Sequence, residues 1–218
     1  MKENSMKIEI PNGKPENFQD RWPGEFKIFS HYEMALGIPH TLFLVTTLKE
    51  NGKPNACFQS WSSFSGDCGG YFAITPTLQN THTYHNILRT KEFCINFISA
   101  KYFDACYKTI VNNAEDTDEI AAGGFTAEPA KCINVPRIQE AFLSLECEFH
   151  SANDLSGQGI WSLIIGKVLS AAVDSDYING DKKYGQDGFM YYLYDLQDFA
   201  SGDQGERKVA SLNILRKA

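Results

Sequence analysis

The chain has 218 residues, 43% of them apolar and 22% charged, and a formal net charge of −7. Its length lets a single core bury roughly 70% of the unfolded surface, so neither disulfides nor a structural metal are needed to hold it. The acidic balance argues against a dedicated nucleic-acid binder and against a polybasic membrane binder, yet leaves room for a small anionic ligand gripped by local donors.

Residues 1–37 are polar and punctuated by Pro11, Pro15 and Pro23, with Phe18, Trp22, Phe26 and Phe29 between them. They read as an arm lying on the main domain or on a partner, and their first residues lack the apolar stretch of a secretory signal. Residues 41–48 (TLFLVTTL) are β-branched and apolar and predict a strand. Asn51-Gly52 follows, a strong hairpin signal because a type I′ turn needs positive φ at both central positions, so residues 55–60 should return antiparallel. A third strand is expected over residues 71–75, ended by Pro76. A two-turn helix follows over 83–89, then a fourth strand over 92–98 (EFCINFI).

Residues 99–113 carry Phe103, Cys106, Tyr107 and Ile110 at helical spacing. Asp116 is expected to cap a short helix with Glu119 at its third position, ended by Gly123-Gly124. Over residues 143–150, Leu143, Leu145, Cys147 and Phe149 alternate with Ser144, Glu146, Glu148 and His150, which predicts one buried face and one wet face. A Gly/Ser/Asn/Asp loop leads into a long strand over 160–173, where Gly166 marks a bend or bulge. That stretch is too short to span a membrane, and Lys167 interrupts it. Beyond Asp174 the chain turns polar and Gly-rich around Phe189, Tyr191, Tyr192 and Tyr194. Recurrent hairpins with helices between them predict a mainly β fold, an antiparallel barrel with helical insertions.

Cys57, Cys68, Cys94, Cys106, Cys132 and Cys147 form no CxxC pair and no zinc-like spacing, so free thiols in a reducing cytoplasm are expected. His82 and His85 lie three apart with no third ligand nearby, which favours solvent-facing histidines over a metal site. Nothing basic flanks Cys57, and an inert thiol is its default.

Two donor-rich segments flank the third strand: residues 55–67 (NACFQSWSSFSGD) and residues 79–86 (QNTHTYHN). Together they suit a phosphorylated planar ligand. Thr81, His82 and Thr83 open the helix, where free N–H groups and a hydroxyl make a phosphate site without a large positive field. The same threonines serve equally well as an ordinary N-cap.

The stretches IPHTLFLVTT, GKPNA, SW with its polar run, HTYHNILRTKEFCIN, DEIAAGGFTAEPAKCINVPRI and AFLSLECEF occur in an order and spacing that resembles the flavin reductase-like, flavoredoxin-type proteins that bind FMN in a split barrel. The resemblance covers about residues 38–174. It implies an antiparallel Greek-key split β-barrel over residues 38–175, an N-terminal arm over 1–37, and a C-terminal extension over 176–218 packing on the barrel or on a dimer partner. It further implies a homodimer with FMN near the subunit interface. NAD(P)H would be the hydride donor, and the acceptor a small molecule or protein; neither nucleic acid nor membrane would be a partner.

For the site, the resemblance implies FMN contacts from Gln59, Ser60, Trp61, Ser62 and Ser63 along the ring and ribityl chain. Thr81, His82 and Thr83 would meet the phosphate. Asn86 matches a family T-x-x-N-I pattern and is expected to order the helix. Trp61 could wall the ring, join the partner interface, or pack as a core residue. Thr81 stands where flavoredoxin-type members carry Arg, which leaves charge complementation to His82, Arg89 or the other subunit. Cys68-Gly69-Gly70 replaces a Pro-rich turn common in relatives. Tyr191, Tyr192 and Tyr194 could stack over the flavin, seal the dimer or fill the core.

No triad, paired carboxylates or metal cluster is evident, which fits chemistry carried by a flavin. The leading expectation is an NAD(P)H-dependent flavin oxidoreductase. The alternatives are an FMN electron carrier without its own nicotinamide site, and a related split barrel that holds haem, another cofactor or none.

Overall fold

The computed structural model describes residues 7, 9–111, 113–194, 196–198 and 201–215. Two short helices, α1 (Glu25–Ile28) and α2 (Tyr32–Leu36), come first. They are followed by β1 (His40–Thr41), β2 (Phe43–Leu48), β3 (Pro54–Gln59), β4 (Ser63–Asp67), β5 (Gly70–Leu78), α3 (His82–Thr90) and β6 (Glu92–Phe97). Then come α4 (Phe103–Lys108), α5 (Glu119–Gly123), the ribbon β7 (Ala127–Glu128) and β8 (Arg137–Ile138), the long strands β9 (Leu143–Asn153) and β10 (Trp161–Val173), and finally β11 (Met190–Leu193) and β12 (Lys208–Ser211). The chain divides into two compact units, residues 1–39 with 193–208, and residues 40–192 with 209–218. All the elements of the candidate site belong to the second.

Seven strands form one sheet in the order β3-β2-β6-β9-β10-β5-β4, every pairing antiparallel. The two outermost strands, β3 and β4, are consecutive in sequence and joined by residues 60–62 alone. The sheet must therefore curl until its edges approach, which makes it a barrel. β1, β11 and β12 form a separate small sheet.

The run TLFLVTTL does not alternate because β2 is buried on both faces. Phe43 and Val45 point into the barrel with Phe93, Ile95, Phe97, Leu145, Ile164 and Ile87 of α3. Leu44 packs outside it against Ala56, Cys106 of α4 and Ile120 of α5. Each such side chain contributes about 1.5–3 kcal/mol of transfer free energy. The Gly166 irregularity is present: the β9–β10 register shifts between Ile165 and Gly166. A Cβ there would lie 2.3 Å from the Phe93 ring, so the glycine is what lets that ring seat against β10.

Several local expectations need correction. The β2–β3 hairpin exists, but only Gly52 has positive φ (78°), and the Gly52 N–H donates to Lys49 O at 3.0 Å. The connection is a three-residue loop with one left-handed residue rather than a type I′ turn. β5 continues through Pro76 to Leu78, because beyond Ile74 it has lost β4 and pairs only with β10, where a missing N–H is tolerated. The helix expected over 99–113 is α only at Phe103–Lys108, with a tight 3-10 turn at Ala100–Tyr102 before it; Tyr107 and Ile110 are exposed.

Asp118 rather than Asp116 caps α5, accepting the Ala121 N–H at 3.0 Å. In β9 the wet face begins only at Glu148, since Ser144 and Glu146 are buried. The Ser144 hydroxyl donates to Asn96 Oδ1 at 2.9 Å. Glu146 accepts the N–H groups of Lys131 and Cys132 and faces Arg137 at 3.3 Å, so a covering loop replaces the water that alternation alone would predict. A buried carboxylate is tolerated because its oxygens are bonded in this way.

Candidate functional site

β3 carries Asn55, Cys57 and Gln59 on the inward side and delivers the chain to the corner at residues 60–62. β5 ends nearby at Leu78, and the chain turns through residues 79–81 into α3. A chain of contacts brings the two polar segments together. Asn55 Nδ2 donates to Thr83 Oγ1 at 3.0 Å. The Thr75 hydroxyl bonds Gln59 Oε1 at 3.0 Å and Trp61 O at 3.1 Å. The Trp61 and Trp161 rings meet edge to face with centroids 4.8 Å apart. Gln79 Nε2 in turn donates to Trp161 O at 3.3 Å and Asp154 Oδ2 at 3.2 Å. Corner and turn are thus neighbours in space, although the whole of β4 and β5 separates them in sequence.

Within this arrangement the sequence-derived residues fall into two groups. Ser60, Trp61 and Ser62 are half-buried on the corner, while Ser63 is exposed and opens β4 rather than extending a loop. Thr81 is the N-cap: its hydroxyl accepts from Tyr84 N at 3.3 Å and donates to Leu78 O at 2.7 Å. His82 and Thr83 are the first two helical residues, whose N–H groups have no acceptor within the helix. Thr83 and Asn86, by contrast, turn their side chains inward and are buried. Asn86 Nδ2 donates to Thr47 Oγ1 at 3.0 Å, and Asn55 Nδ2 reaches the same oxygen at 3.1 Å. Their side chains fasten α3 to β2 and β3.

His82 Nε2 lies 3.3 Å from Glu115 Oε2. Arg89 sits in the last turn of α3 and donates to Leu48 O and Asn86 Oδ1, so it does not supply charge to the first turn. Burial holds the Cys57 thiol above its usual pKa, in keeping with an inert role. Among the described residues no group of His, Cys, Asp and Glu could hold a metal ion, and the six cysteines are free.

Sequence reasoning missed a buried ion pair beside the site. Lys49 Nζ donates to Glu119 Oε1 at 2.6 Å, Ala114 O at 2.9 Å and Thr117 O at 2.8 Å, and both side chains are inaccessible to solvent. Burial raises the Glu119 pKa, and Lys49 opposes the shift. A lysine at a hairpin start looks like a solvated turn residue, so no local signal marked it.

Phe64, the second residue of β4, also lines a cleft of about 400 Å³ with Thr41, Tyr71, Phe97, Leu143, Leu145, Tyr184, Phe189 and Tyr191. Tyr191 therefore borders open space, whereas Tyr192 packs against the α4–α5 side of the core. A flavin mononucleotide needs donors for a phosphate and a polyol chain, and apolar or aromatic surface for its ring. The α3 first turn and the corner hydroxyls are donors of the first kind, and Trp61 is aromatic surface of the second.

The Flavin reductase like domain family matches residues 34–193, and the chain belongs to that family. Its fold is that of solved split-barrel proteins. It resembles nitrilotriacetate monooxygenase component B from Bacillus cereus with a TM-score of 0.75 at 18% identity, over 99% of this chain and 100% of that one. Flavoredoxin from Methanosarcina acetivorans gives a TM-score of 0.71 at 16% identity, over 98% and 95%. An FMN-binding protein from Thermus thermophilus, solved with bound p-hydroxybenzaldehyde, gives 0.63 at 17% identity, over 93% and 95%. Among the described residues no helix is long and apolar enough to cross a membrane.

Proposed function

We propose that the chain is an FMN-dependent oxidoreductase of the flavin reductase type, cytoplasmic and homodimeric, which moves hydride or electrons between NAD(P)H, flavin and a separate acceptor. The observation that carries this reading is the convergence of the 59–63 corner with the first turn of α3. The N–H groups of His82 and Thr83 would receive the phosphate at the positive end of the helix dipole. Thr81, whose hydroxyl already caps the helix, fixes the direction of those N–H groups. Gln59, Ser60, Ser62 and Ser63 would offer hydroxyl, amide and backbone donors to the ribityl chain and ring edge, with Trp61 as an apolar wall. Thr83 and Asn86 would act indirectly, by holding α3 in place. When bound, the flavin supplies the hydride and electron chemistry, and the protein needs no acid–base residue of its own for it.

A second reading, an FMN electron carrier without its own nicotinamide site, is favoured by one feature. Among the described residues, those lining the aromatic cleft include no Lys or Arg of the kind that pairs with a dinucleotide pyrophosphate. One preparation separates the readings. Purified protein should be yellow or take up FMN stoichiometrically, and light scattering should give the mass of a dimer. Anaerobic NADH or NADPH should bleach the flavin band if the chain is a reductase. Bleaching by dithionite alone would favour the carrier, and failure to take up FMN at all would exclude both.

A further inference from the structure

The hairpin between β2 and β3 reaches across to residues 114–117 with three side chains. Lys49 Nζ bonds Ala114 O and Thr117 O, Asn51 Nδ2 donates to Glu115 O at 2.8 Å, and Lys53 Nζ donates to Asp116 O. Four consecutive carbonyls are thereby held, and the remaining Lys49 contact goes to the buried Glu119 carboxylate. A stretch of main chain fixed this way presents its side chains in set directions, and the one it presents to α3 is Glu115. That carboxylate lies against His82, the only residue of the turn at positions 79–84 that can carry a positive charge. Here His82 Nδ1 and Glu119 Oε2 are both buried without a protein partner, and Glu119 lies within electrostatic reach of His82.

The other charges around His82 do not replace it. Lys49 is neutralised by Glu119, Arg89 is tied to the far end of the helix, His85 is exposed one turn on, and Asp154 is acidic and bonded to Gln79.

We infer that Glu115 sets the ligand specificity of this site: by occupying His82 and adding like charge, it suppresses the preference for a phosphorylated flavin over an unphosphorylated one. The inference rests on the FMN reading above. Removing the carboxylate frees the imidazole for the phosphate and removes a repulsion, while a flavin without phosphate experiences neither change.

The test uses the full chain stripped of flavin and titrated with FMN and with riboflavin, at low and high salt, following flavin fluorescence. Glu115→Gln should tighten FMN by about five- to tenfold, as expected for one charge acting at short range near a surface, and leave riboflavin within about twofold. The gain should shrink in high salt, where exposed charges are screened. Measured against His82→Gln alone, the gain in the double variant Glu115→Gln, His82→Gln should be clearly smaller, because only the removed repulsion remains. Thermal melts of the variants should overlay the parent, since Glu115 holds the hairpin through its carbonyl rather than its side chain. If the parent binds FMN and Glu115→Gln changes both flavins equally, or neither, the inference is wrong and the FMN reading stands. If the parent binds neither flavin, the FMN reading fails and takes the inference with it.

Discussion

The inner face of α3 and its first turn are only a few residues apart and are built on opposite plans. On the inner face Asn55, Thr47, Thr83 and Asn86 form a closed network in which each side chain is buried and bonded to another. At the first turn His82 is half-exposed, and the facing corner offers hydroxyls at Ser60 and Ser62 that are only partly covered. Buried polar groups stabilise a fold when fully satisfied and cost it heavily when one partner is lost. Partly open donors contribute little to folding and are free to meet a ligand. The difference assigns one region to holding the helix and the other to using it.

Substitutions on the two sides sharpen or break that division. The largest effect should come from Lys49→Met, which strands the Glu119 carboxylate in the interior and should cost about 3–5 kcal/mol in urea unfolding. Burial already raises the Glu119 pKa, and without Lys49 the group should stay protonated in the fold while the unfolded chain ionises near the ordinary carboxylate range. The penalty should therefore be smallest below about pH 4 and grow as pH rises through the raised folded value. A pH-independent penalty would mean that Glu119 is not the stranded charge.

Gly166→Ala should follow at about 1–3 kcal/mol, because its methyl meets the Phe93 ring. Calorimetry showing an unchanged melting temperature would mean that β10 can shift away from the ring. Asn55→Ala removes a donor shared by Thr47 and Thr83 and should cost about 1–3 kcal/mol of stability. Trp61→Ala should cost least in folding, about 1 kcal/mol for the lost ring pair with Trp161, yet weaken FMN by about tenfold in titrations. If Trp61→Ala proved the more damaging to folding and Asn55→Ala the more damaging to flavin affinity, the assignment of the two regions would be reversed.

The strands were legible wherever one physical pattern dominated. β6, β10 with its glycine, and the outer half of β9 could be read from alternation or β-branched runs. The readings that failed did so where a distant segment altered the local rule. Ser144 and Glu146 looked solvent-facing, but Asn96 of β6 takes the Ser144 hydroxyl and the loop at residues 129–136 supplies N–H donors to Glu146. Asp116 looked like a cap, but α5 starts at Glu119 and the cap is Asp118, whose carboxylate accepts the Ala121 N–H. For the site, the two polar segments stood out by composition, and Asn86 could be read as a helix-ordering residue. The inward turn of Thr83, the commitment of Arg89 to Leu48 and the Lys49–Glu119 pair could not be seen. Each depends on which strand lies behind the helix, and nothing in the neighbouring sequence records that.

The two rims of the curled sheet are stitched by a three-residue link, and a mononucleotide spanning that link and the helix would close the same seam from outside. Occupancy and barrel closure would then be thermodynamically linked: saturation at one hundred times the dissociation constant should add about 2.7 kcal/mol to the resistance against unfolding. Amide exchange should slow first along β3 and β4, the strands that border the seam. In the empty protein those strands should be the first to open.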